Sequence, residues 1–171
     1  MGYPKIDSSP TLLIEQTPPI PLLVLDTNTV LDWVAFGDPQ VQPIVNAIQR
    51  GTLRLAASDA CLQELRRAPG HAQPNLYAAA QALAFERYLA HASVFDIPER
   101  AEAMGLPLCD DPDKQKFLEL ARHARASHLV TRDNARLKLA RRLAESGRFA
   151  LLVPDAFLRR TKRPEHGLLR G

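Results

Sequence analysis

The run LLVLDTNTVLDW, Leu22 to Trp33, constrains the fold more than any other feature of this chain. Four consecutive apolar residues lead directly into Asp26, and Thr27, Asn28 and Thr29 follow before a second apolar segment begins. An unbroken apolar strand is covered on both faces, as strands are inside a parallel sheet. A carboxylate at its end stands beyond the carboxyl edge of the sheet, where open α/β sheets bind ligands. Asp26 therefore either binds a ligand or caps the helix that Thr27 opens, and the remaining acids bear on which.

Similar short apolar runs recur along the chain with helical spacing between them. Leu53–Ala57, Val94–Ile97, Leu129–Thr131 and Phe149–Val153 read as further strands. Val41, Ile44, Val45 and Ile48 recur at helical intervals before Gly51. Ser58 can cap a helix to Arg67, and 74–91 is an alanine-rich helix. Pro112, with Asp111 as its cap, opens a helix to about Arg125, and Asn134–Ser146 is a basic helix stopped by Gly147. Strands alternating with helices predict an α/β fold of three layers, α/β/α, around a central parallel sheet of about five strands.

The length of 171 residues suits one domain. Residues 1–21 carry Pro4, Pro10, Pro18, Pro19 and Pro21 and read as an irregular leader. The domain is expected over 22–158, and 159–171 as a basic, flexible tail. That tail holds five basic residues and one acid, a net +4, so with a formal total of +3 the rest of the chain stands at −1. The high isoelectric point thus says little about the folded body. Cys61 and Cys109 belong to no paired or zinc-binding spacing, which predicts a reduced, cytoplasmic protein. Neither a signal peptide nor a membrane span is expected, because no apolar segment is long enough.

Acids drawn from separate segments mark the chemistry. Asp26 closes the first strand, Asp133 follows the strand in HLVTRD, Glu64 lies in SDACLQELRRA, and Asp110, Asp111 and Asp113 open the helix at CDDPDKQKF. Such acids repel one another unless a cation neutralises them. Mg²⁺ or Mn²⁺, hard ions that take carboxylate and water oxygens, would do so. Thr27 and Asn28 would then steady Asp26. Each acid also has a plainer role: Asp26, Asp111 and Asp133 can cap helices, and Glu64 can be a solvated helical acid.

These stretches resemble the PIN-domain ribonucleases, many of which are toxins of bacterial toxin–antitoxin pairs. The likeness runs from about Leu22 to Leu158 and rests on LVLDTNTVLD, ASDACLQELRRA, DPDKQKFLELA, HLVTRDNARL and LLVPDAFL. It implies a metal-dependent endoribonuclease that hydrolyses single-stranded RNA with Mg²⁺ or Mn²⁺. It also implies an antitoxin partner and a homodimer. Asp26, Glu64 and Asp133 match the family's acidic positions. At the third position the usual aspartate before Lys-Phe is replaced by Gln115, with Lys114 before it. Asp111 and Asp113 are the candidates to replace it. On this resemblance Asp26, Glu64, Asp111 and Asp133 are the catalytic candidates, the same four with Asp113 would hold metal, and Thr27, Asn28, Gln115 and Thr131 would support them.

Between Arg122 and Arg148 there are eight basic residues against Asp133 and Glu145, a candidate RNA-binding stretch in which Arg132 and Arg136 flank Asp133. A PIN-like module that binds RNA or a protein without cutting is the alternative, favoured by Gln115 and Lys114. A haloacid-dehalogenase-type phosphatase needs an acid where Asn28 stands, and a dinucleotide-binding fold needs a glycine-rich loop that is missing after the first strand.

Overall fold

The computed structural model describes residues 19–67, 74–98, 100, 102, 104–146 and 148–162, with the side chains of 74–77, 81 and 84 outside the description. Most of the expected leader and residues 163–171 of the expected tail therefore lie outside the described residues.

Strands β1 (Leu22–Leu25), β2 (Arg54–Ala57), β3 (Ala92–Val94), β4 (His128–Val130) and β5 (Ala150–Leu152) form one sheet, all parallel, in the order β3-β2-β1-β4-β5. The chain builds outward from β1 on one side with β2 and β3, then crosses to build β4 and β5 on the other. Strand order thus reverses between β1 and β4, and a crevice is expected beyond their carboxyl ends. Leu25 pairs with Val130, and the next N–H groups continue the ladder, Asp26 to the Val130 carbonyl at 3.2 Å and Thr131 to that of Leu152 at 2.9 Å. Asp26 and Thr131 consequently leave the sheet side by side.

Alternation along each strand sorts the core into two faces. Leu23, Leu25, Leu55, Ala57 and Val130 pack with α1 (Thr27–Val34), α2 (Gln42–Gln49), α3 (Asp59–Arg67) and Tyr88 of α4 (Pro74–His91). Phe157 of α8 (Pro154–Lys162) closes the same face. Val24, Ala56, Leu129 and Leu151 point the other way, against Phe117, Leu118, Leu120 and Ala121 of α5 (Pro112–His123) and Leu143 of α7 (Ala140–Glu145). The three-layer α/β/α prediction is therefore met. Full burial of each leucine, valine or phenylalanine among them is worth about 1.5–3 kcal/mol.

Local boundaries differ from the sequence reading. The edge strand β3 begins at Ala92, directly after α4, because Leu55 and Ala57 pair with Ala92 and Val94; the Phe95 N–H adds a bond to Ala57 at 2.8 Å. The basic helix divides into α6 (Asn134–Leu137) and α7 where the Leu139 N–H bonds the Arg136 carbonyl at 2.8 Å, a tighter i→i−3 turn. Helix α8 continues through Lys162, so the first residues of the basic tail are helical, with Arg159 ion-paired to Asp155 at 2.9 Å. Among the described residues no helix is long and apolar enough to cross a membrane.

Candidate functional site

Asp26 does two jobs at the end of β1. Its Oδ1 accepts the Thr29 N–H at 2.8 Å and so caps α1. Its Oδ2 accepts the Thr131 hydroxyl and stands 3.1 Å from Arg136 Nη1. The carboxylate is 2% exposed and the arginine 4%, so this is a buried ion pair. The Arg136 guanidinium also lies 4.5 Å from the centre of the Phe117 ring. Neither Thr29 nor Arg136 figures in the sequence reading as a partner of Asp26. Thr27 turns instead to Glu64, donating to Oε1 at 2.8 Å, and Asn28 is exposed.

Glu64, half-buried on α3, is held on its other oxygen by Lys116 of α5. Asp133 caps α6 through the Ala135 N–H at 2.8 Å, and its second oxygen meets Lys114 Nζ at 2.6 Å. The Thr131 hydroxyl joins the two aspartates, because it also receives the Asp133 N–H at 3.0 Å. Partial burial pushes the Asp133 pKa up, but the Lys114 hydrogen bond, the Ala135 N–H and the charges of Lys114 and Arg136 outweigh it and leave the carboxyl below its ordinary range. Lys114 is correspondingly raised, chiefly by its bond to Asp133.

The third acidic position is not refilled. Asp111 caps α5, accepting the Asp113 N–H at 2.9 Å, and Asp110, Asp111 and Asp113 are all exposed. Gln115 is buried, but its amide faces the preceding loop: Oε1 accepts the Cys109 N–H at 2.6 Å and Nε2 donates to the Pro107 carbonyl at 3.1 Å. It acts as a clasp on residues 107–109, with both ends of its amide bonded to that loop and neither to Asp26.

The donor set does not fit a divalent ion as it stands. Mg²⁺ requires several oxygens converging on one point, and among the described residues no three His, Cys, Asp or Glu side chains converge in that way. Asp26, Glu64 and Asp133 each have a cation of their own: Arg136, Lys116 and Lys114. The three negative charges are matched by three positive ones.

The candidate RNA-binding stretch is divided by the fold. Arg132 and Arg136 follow β4 at its carboxyl end, whereas Arg122 and Arg125 precede β4 and Arg148 precedes β5. Arg136, which the sequence points at RNA, is instead buried beside Asp26, whose carboxylate would be an unpaired buried charge without it. Arg132 is held by Asp32 at 2.8 Å and Asp38 at 2.9 Å, which ties the turn after α1 to the end of β4. At the amino end, Arg122, His123, Arg125 and Arg148 line a cleft of about 490 Å³ with Glu102, Met104 and Gly105. Arg148 braces it by donating to the Met104 and Gly105 carbonyls.

No curated protein is close enough in sequence to count as a relative. Among solved structures, the chain is similar to one in the crystal structure of VapBC2 from Rickettsia felis bound to a DNA fragment from its promoter. The TM-score there is 0.53 at 14% identity, over 76% of this chain and 96% of that one. A chain in the structure of FitAB bound to an IR36 DNA fragment matches with a TM-score of 0.47 at 15% identity, over 85% of this chain and 99% of that one. The PIN-domain family profile matches residues 22–135, a segment that runs from β1 through Asp26, Glu64 and Asp133 into α6. With a five-stranded parallel sheet in place and two thirds of its length matched, this chain belongs to the PIN-domain family.

Proposed function

We propose that this chain acts on single-stranded RNA as the toxin partner of a toxin–antitoxin pair, and that its own cations restrain ribonuclease chemistry in the crevice beyond β1 and β4. PIN-domain proteins are generally nucleases, and membership of that family supports a nucleic-acid substrate, for which single-stranded RNA is the proposal. The observation that carries the restraint is the one-to-one pairing of Asp26, Glu64 and Asp133 with Arg136, Lys116 and Lys114.

The residues of the crevice divide the work. Thr29, Thr131 and Arg136 fix Asp26 from three directions, so its oxygens do not turn. Lys114 and Lys116 keep 32% and 19% of their side-chain surface exposed, so a backbone phosphate of RNA can compete with Asp133 and Glu64 for them. A phosphate that takes a lysine releases a carboxylate at the same place. Binding of this kind weakens steeply with salt. The antitoxin is proposed to cover this crevice, and the protein to act as a cytoplasmic homodimer. The similar chain from Rickettsia felis belongs to VapBC2, bound there to a DNA fragment from its promoter.

The second reading is the fully active one, Mg²⁺- or Mn²⁺-dependent endoribonuclease, with Asp26, Glu64 and Asp133 as catalytic acids. What favours it is their retention together at one end of the sheet. Fluorescence anisotropy and gel assays of single-stranded RNA, with and without Mn²⁺, separate the two. Binding in both conditions with little or no cleavage is expected. Rapid Mn²⁺-dependent cleavage that Asp26→Asn abolishes installs the second reading, and absence of RNA binding at low salt overturns the substrate assignment.

A further inference from the structure

We propose that Lys114 is a built-in counter-ion that takes the place of a bound metal, so that one side chain sets how well this PIN domain holds a divalent cation. The inference concerns cation binding and is read without RNA, so it stands or falls separately from the substrate assignment.

Lys114 sits in the first turn of α5 and reaches across to α6, where its Nζ meets Asp133 Oδ2 at 2.6 Å. Asp133 connects through the Thr131 hydroxyl to Asp26, which Arg136 neutralises from the other side at 3.1 Å. The Asp26 carboxylate accepts the Thr131 hydroxyl, whose oxygen accepts the Asp133 backbone N–H, and the two aspartates are thereby linked and bracketed by two cations. In a site built for metal the ion itself offsets that repulsion; here the polypeptide already does, so an entering ion would have to expel an ammonium group to reach the same oxygen. Among the described residues, the candidate replacements do not restore the missing negative charge. The Gln115 amide is committed to Cys109 and Pro107, and Asp110, Asp111 and Asp113 are exposed.

Lys114 is also the most replaceable of the three cations. Arg136 is buried beneath Asp26, and Lys116 is packed near the Phe117 ring with its nitrogen 5.9 Å from the centroid. Lys114 is the most exposed of them, so changing it alters the charge of the crevice without removing core packing. Lys114→Met leaves one carboxylate unmatched. Lys114→Glu adds a further negative charge beside Asp133 and supplies the oxygens that hard cations take.

Manganese titration followed by electron paramagnetic resonance tests this, with circular dichroism confirming the fold of each variant. The natural protein is expected to show no saturable Mn²⁺ site, and Lys114→Glu to bind at least about tenfold more tightly, which corresponds to about 1.4 kcal/mol. That gain is expected to vanish when Asp133→Asn is added. Lys114→Met is expected to fall between the two, and it decides the matter if Lys114→Glu does not fold. Saturable binding by the natural protein as tight as that of Lys114→Glu overturns the proposal. So does a folded Lys114→Glu, or Lys114→Met in its absence, that binds no better than the natural chain.

Discussion

The two ends of the sheet carry similar residues in opposite arrangements. Beyond the carboxyl ends of β1 and β4, acids and bases alternate in space: Asp26 with Arg136, Asp133 with Lys114, Glu64 with Lys116, and Asp32 and Asp38 with Arg132. At the amino end, Arg122, His123, Arg125 and Arg148 crowd one cleft with Glu102 as its acid. In the sequence Arg122, Arg125, Arg132, Arg136 and Arg148 belong to one basic stretch. The difference teaches that charge density along a chain and charge density in space are separate quantities, because a strand crossing the sheet carries its flanking residues to opposite poles. Cations at the carboxyl end belong to the protein's own carboxylates, whereas among the described residues those lining the amino-end cleft share it with one acid, Glu102.

This contrast can be broken experimentally, and the largest effect is expected at the buried pair. Arg136→Ala would strand Asp26 as an unpaired buried charge, at a cost of about 3–5 kcal/mol in urea unfolding. The joint change Asp26→Leu with Arg136→Leu should cost much less, since neither charge is then left alone. A loss below 1 kcal/mol for Arg136→Ala, on the scale where surface pairs lie at about 0–1, would show that the carboxyl end is not built on ion pairing. Next comes the clasp. Gln115→Leu removes both bonds to the loop at 107–109 and should cost about 1–3 kcal/mol, because the Cys109 N–H loses its acceptor.

A smaller effect distinguishes the half-exposed pair. Asp133 titrates below the ordinary 3.8 in the folded protein, because its bonds to Lys114 and Ala135 and the nearby positive charges outweigh partial burial. Its contribution is therefore complete above that ordinary value and is lost as pH falls through the folded one. Lys114→Met should flatten the acid limb of the stability profile while costing about 1 kcal/mol or less at neutral pH. An unchanged acid limb would sever the link between Lys114 and Asp133. The smallest change is expected at the other pole, where Arg125→Ala, at an exposed residue, should stay within about 0.5 kcal/mol. A larger loss there would erase the distinction between the two ends.

Much of the fold was legible locally. Leu22–Leu25 reads as a doubly covered strand because both faces of it are apolar, and it is β1. Ala92–Val94 was harder to read: a three-residue edge strand is defined by its partners Leu55 and Ala57 and carries little pattern of its own. In the crevice, the capping roles of Asp26, Asp111 and Asp133 could be read from the polar residues that precede each helix, and all three are present. The partnership of Asp26 with Arg136 could not, since 110 residues separate them and the sequence reading assigns Arg136, like Arg132, to RNA. Gln115 was noticed for the charge it lacks; its grip on Pro107 and Cys109 depends on a loop path that no periodicity encodes.

By itself the sequence determined the alternation of strands and helices, the parallel sheet and the positions of the acids at strand ends, because these follow from local patterns of burial and capping. Tertiary structure alone decided which cation faces which carboxylate. Ion pairs act over a few ångströms of space whatever their separation along the chain, so only the packing of α5 and α6 against β1 and β4 could match Lys114 to Asp133 and Arg136 to Asp26.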